Sequence, residues 1–129
     1  MLDRIDLGVG VPAVLPEALA LTDSDMHASE LRESSATVRE RVAHARRRQQ
    51  DRQGKVNARL LPPEVAAHCV PEAAAEELLA RAMTRWALSA RAYHRVLKVA
   101  RSIADLAGAD NIDATHMAEA IGYRRVHPA

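Results

Sequence analysis

Apolar positions follow two registers along this 129-residue chain. Between Arg4 and Val11, Ile5, Leu7, Val9 and Val11 alternate with Asp6, Gly8 and Gly10, the period-two pattern of a half-buried strand that Pro12 ends. A single strand cannot pair its own backbone, so this one needs a partner outside the chain or frays, and Gly8 and Gly10 weaken its propensity. Residues 17–33 mix acids with Thr22, Ser24, His27 and Ser29 and keep no period, which predicts a loop, flexible over 21–33.

From Ser34 onward the period is helical. Ser34 or Ser35 offers an N-cap and Gly54 a stop, with Val38, Val42 and Ala45 as a thin apolar seam between them. Pro62 and Pro63 open a short helical turn through His68, and Pro71 suits the first position of the next helix. That helix has Ala75, Leu78, Leu79, Ala82, Met83 and Trp86 as its inner stripe, with Glu77 and Arg81 paired outside. Ser89 caps a longer helix on which Leu88, Ala92, Val96, Val99, Ile103 and Leu106 recur until Gly108. Asp113 caps the last helix, where Ile112 and Met117 form a hydrophobic staple.

The predicted fold class is all-α. A helical bundle over 62–124 follows a basic helix and connector over 34–61, with a strand and linker in 1–20 and a tail over 125–129. Composition agrees, since aromatic residues make up 2 % of the chain and phenylalanine is absent, which argues against an all-β fold. A net charge of +1 implies no polyanion partner by itself. A single cysteine, Cys69, rules out an internal disulfide, and with no leader-like or membrane-spanning run the expected location is the cytoplasm.

Several chemistries are excluded by spacing. Gly8-Val9-Gly10-Val11-Pro12-Ala13 has the outline of a dinucleotide fingerprint, but prolines stand where the motif needs a helix to open. Gly54-Lys55 lacks the remainder of a phosphate-binding loop. The histidines and Cys69 show no metal-site spacing, and no Gly-x-Ser-x-Gly elbow occurs.

Two groups of cations remain. From Ser34 to Lys55 the chain carries seven arginines and lysines against Glu40 and Asp51, a basic patch whose Arg46, Arg47, Arg48 and Arg52 are candidates for nucleic-acid phosphate. A solvated helix face would read the same way. On the helix after Ser89, Arg91, Arg95 and Lys98 recur at i, i+4 and i+7, and Arg91 lies in the first turn, where a guanidinium and free backbone amides can converge on one anion.

Separated motifs point further. Leu2-Asp3-Arg4-Ile5-Asp6-Leu7, Glu33-Ser34-Ser35-Ala36 with Arg39-Glu40-Arg41-Val42, Asn57-Ala58-Arg59-Leu60, Leu88-Ser89-Ala90-Arg91-Ala92-Tyr93-His94-Arg95 and Ala100-Arg101-Ser102-Ile103-Ala104-Asp105-Leu106 resemble the C-terminal part of the magnesium-chelatase-like AAA+ proteins of bacteria, of the ComM or YifB type. The resemblance implies a ring ATPase, hexameric in that family, in which a phosphate-binding core is followed by a helical lid. This chain looks like the last core strand plus that lid. On the same resemblance Arg4 is an arginine finger reaching the neighbouring subunit's nucleotide and Arg91 the sensor-2 residue at the γ-phosphate; Arg95 and Lys98, by their spacing on the same helix, are further candidates for phosphate contact. ATP and Mg2+ would be bound in the parent protein, and the chain by itself would not turn over ATP. The implied motor acts on branched DNA or drives porphyrin metallation through a partner. A stand-alone helical interaction module with no nucleotide link is the third reading.

Overall fold

The computed structural model describes residues 5–11 and 34–125. Among them are α1 (Ser35–Gln53), a 3-10 turn (Asn57–Arg59), α2 (Pro62–His68), α3 (Ala73–Trp86), α4 (Ala90–Leu106) and α5 (Ala114–Arg125). Helix α4 is the centre, packing on α1, α2, α5 and the 3-10 turn, while α3 closes on α5. Arg4, residues 12–33 and the tail from residue 126 lie outside the described residues.

Helix ends form where local chemistry places them. Ser34 Oγ accepts from Thr37 N–H at 3.1 Å and Ser89 Oγ from Ala92 N–H at 3.1 Å, each satisfying a first-turn amide. Gly54 (φ 75°) and Gly108 (φ 72°) take left-handed conformations just past α1 and α4. Asp113 Oδ1 accepts from His116 N–H at 3.0 Å, and His116 Nδ1 accepts from Asp113 N–H at 3.1 Å. This is a reciprocal cap with histidine in the place usually held by Glu or Gln.

Small residues let the helices approach closely. Ala75, Ala100 and Ala104 are fully buried together with Val65, Leu79, Ile112 and Met117, so the staple pair Ile112 and Met117 lies wholly in the core.

Four sequence expectations are corrected. No strand occurs among the described residues, because 5–11 has no neighbouring strand; Gly8 N–H instead donates to Tyr123 O at 2.9 Å. Pro71 does not open α3. It forms a parallel bridge with Ile112 that joins two inter-helix connections, Glu72 N–H donating to Ile112 O at 2.9 Å, and α3 begins at Ala73. Trp86 and Leu106, at the ends of their stripes, are 38 % and 41 % exposed, each at the open rim of a groove that α5 also lines. Val38 and Val42 are also exposed, leaving Ala45 and Gln49 as the buried residues of α1.

Candidate functional site

The first turns of α4 gather one set of predicted cations. Arg91, His94, Arg95 and Lys98 line a cleft of about 300 Å³ whose opposite wall is Ala58, Leu60, Pro62 and Val65, with Asp6 at its edge. Arg91 is exposed, the other three half-buried. Lys98 Nζ donates to Ala58 O at 3.3 Å, and Arg95 Nη1 is ion-paired with the Asp6 carboxylate. His94 Nδ1 and Arg95 Nε are shielded from solvent without a hydrogen-bond partner among the described residues. The Ser89 cap uses Ala92 N–H, leaving the Ala90 and Arg91 amides beside the positive end of the helix dipole. Three permanent cations against one carboxylate make this cleft chemically suited to a phosphoryl group.

The other predicted cations separate into two sets. Arg46 and Arg47 are exposed on α1, and with Arg39 they form its outward basic face. Arg48 and Arg52 turn inward: Arg48 Nη2 lies 2.8 Å from Asp110 Oδ1, and Arg52 Nη1 and Nη2 lie 2.9 and 3.1 Å from Asp105 Oδ1 and Oδ2. Arg4 lies outside the described residues.

Asp105 heads a buried polar cluster that sequence reasoning missed. It is 0 % exposed and accepts from Arg52, from Asn57 Nδ2 at 3.0 Å, and has Arg101 Nη2 3.4 Å away. Asn57 binds on every side: its N–H donates to Gln49 Oε1 at 2.8 Å, its Oδ1 accepts from Arg52 and Gln53, and its Nδ2 also donates to Ser102 Oγ. Arg101, 3 % exposed, ties down the connection after α4 by donating to Ala109 O and Asp110 O at 2.9 and 3.0 Å. Burial pushes its guanidinium below the usual arginine range, while the Asp105 carboxylate pulls the other way. The available signal was the second apolar row Leu97, Ala100 and Ala104 on either side of Arg101, which encloses that arginine in the packed face.

Glu64 and Cys69 are also perturbed. Lys55 bonds to Glu64 and, with Leu61 N–H, holds its carboxyl below the ordinary range. Burial pushes the Cys69 thiol up to about 11. Among the described residues no cluster of His, Cys, Asp or Glu could hold a metal ion, and no helix is long and apolar enough to cross a membrane.

Against known proteins, residues 32–124 match the family described as magnesium chelatase, subunit ChlI C-terminal. The chain is similar to competence protein ComM of Haemophilus influenzae, with 43 % identity over 95 % of this chain and 23 % of that protein. It is 43 % identical to the protein YifB of Salmonella typhimurium over 97 % of this chain and 24 % of that one. Similarity to an uncharacterised protein of Mycobacterium tuberculosis is 33 % identity over 97 % of this chain and 24 % of that one. The chain thus spans about a quarter of the length of the curated relatives it matches.

Proposed function

Because the chain belongs to the magnesium chelatase subunit ChlI C-terminal family, we propose that it acts as the helical lid of a ring-forming AAA+ ATPase of the ComM and YifB type. The observation that carries this reading is the convergence of Arg91, Arg95 and Lys98 on one cleft at the start of α4. ATP is held by a phosphate-binding core elsewhere in the parent protein. From the lid, Arg91 meets the γ-phosphate, where a guanidinium fixed before reaction stabilises the charge spread over the transferring group. Arg95 and Lys98 add longer-range positive potential, and Arg4 reaches the nucleotide of the adjacent subunit. Mg2+ when bound neutralises charge between the phosphates; no residue of this chain is assigned to it. Movement of the lid against its core then converts nucleotide turnover into work.

The work proposed is on DNA, as a branch-migration motor, favoured by the exposed arginines of α1. The alternative, a chelatase motor in porphyrin metallation, is favoured by the description of the matched family. Steady-state ATP turnover by the parent protein carrying Arg91→Ala tests the core of the proposal. A drop on the order of a hundredfold is expected for a charge acting on the transition state. Undiminished turnover with unchanged nucleotide affinity overturns it.

A further inference from the structure

We propose that the turn Asn57–Arg59 couples the cationic cleft to the basic helix α1, with Asn57 as the positioning residue, so that a phosphate in the cleft reorients α1. This rests on the phosphate-binding reading of the cleft given above. The Asn57-Ala58-Arg59-Leu60 segment faces two ways. On one side Ala58 and Leu60 wall the cleft, and Ala58 O accepts from Lys98 Nζ at 3.3 Å. On the other, Asn57 is 2 % exposed and its side chain joins two helices: Oδ1 accepts from Arg52 and Gln53 of α1 at 3.0 and 2.7 Å, and Nδ2 donates to Ser102 and Asp105 of α4 at 3.1 and 3.0 Å. Ser102 Oγ in turn donates to Lys98 O at 3.0 Å, so Asn57 is tied to the cleft lysine a second time. Ala45 is the one buried apolar residue of α1, so these polar ties, more than a packed seam, set the orientation of that helix. A side chain bonded on every side cannot shift without carrying its partners along. A phosphoryl oxygen attracts the Lys98 ammonium more strongly than a neutral carbonyl does. When Lys98 turns to it, the exposed Ala58 carbonyl passes to water, and the turn, with Asn57 and the end of α1, settles in a new position. Coupling of this kind is reciprocal, so a partner that fixes α1 alters the affinity of the cleft by the same factor.

The test uses the 129-residue chain with Cys69→Ala, carrying spin labels at Val38→Cys on α1 and Ala80→Cys on α3, both exposed positions. Binding of sodium tripolyphosphate is measured by calorimetry and the distance between labels by electron double resonance. Saturating tripolyphosphate is expected to shift the mean distance by about 2 Å or more, the scale of helix movements at packed interfaces. Lys98→Met should weaken binding about tenfold, as for a lost charged contact, and leave the distance unchanged at saturation. Asn57→Ala, which removes no lining residue of the cleft, should still bind tripolyphosphate and lose the shift. If circular dichroism shows that Asn57→Ala does not fold, Ser102→Ala, which removes one acceptor from Asn57, replaces it, and the shift should shrink. An undiminished shift in the folded variant, or in Lys98→Met, refutes the coupling. Binding by the otherwise unaltered chain with no change of distance also refutes it and leaves the phosphate reading standing. No binding at low salt refutes that reading, and the coupling with it.

Discussion

Arg52 grips Asp105 with both terminal nitrogens, at 2.9 and 3.1 Å, joining the last turn of α1 to the last turn of α4. The carboxylate is fully buried while the guanidinium keeps a partly open edge. Two charged groups withdrawn from water in this way are tolerated because Asn57 and Arg101 fill the remaining positions around the carboxylate.

Replacing Asp105 with alanine leaves Arg101 buried beside no carboxylate and removes the acceptor that holds α1. A loss of about 3–5 kcal/mol is expected in urea unfolding. Arg52→Ala should cost less, about 1–3 kcal/mol, since Asp105 keeps Arg101 and Asn57. The double variant should fall short of the sum of the two. Strict additivity would show that the two side chains act independently.

DNA binding, if the outward face of α1 provides it, belongs to Arg46 and Arg47. Their double replacement by alanine should abolish retardation of duplex DNA at low salt with little change in stability, because both are exposed. Arg48→Ala and Arg52→Ala should instead lower stability first. Retention of full, salt-dependent affinity by the Arg46 and Arg47 double variant excludes this face as the contact.

The Cys69 thiol is 1 % exposed and its pKa is pushed up to about 11. Folding favours the neutral thiol, so its contribution is fully present below the unfolded value near 8.5 and is lost as pH rises towards 11. The folded chain should resist a disulfide reagent at pH 8 and react on addition of urea. Cys69→Ala should remove part of the alkaline destabilisation, read as midpoint against pH. Rapid native-state labelling would contradict the burial of the thiol.

Features set by neighbours in sequence were legible before the structure. Ser34, Gly54, Ser89, Gly108 and Asp113 cap or terminate helices through contacts within a few residues, so their chemistry is readable locally. The same is true of most of the α4 stripe. What decides between Arg46 or Arg47 and Arg48 or Arg52 is the docked face of α1, and that is fixed by Asp105 and Asp110, more than fifty residues away. The alternation from Ile5 to Val11 predicts a strand because period two describes side chains, whereas a strand also requires a second backbone alongside. At the cleft, the i, i+4, i+7 spacing brought Arg91, Arg95 and Lys98 together; the opposing Asp6 came from a segment whose placement no periodicity encodes.

The polar cluster grips α1 towards its C-terminal end, and residues 35–42 are exposed in the described part of the chain. At 1.5 Å of rise per residue, Ser35 stands roughly 20 Å from the grip at Arg48. A tilt of about 10° at the Arg48 grip would sweep that tip through roughly 3.5 Å, so the helix is a lever whose fulcrum is made of hydrogen bonds. Small rearrangements around Asp105 are thereby magnified at the far tip, where Arg39 and its neighbours meet the surroundings.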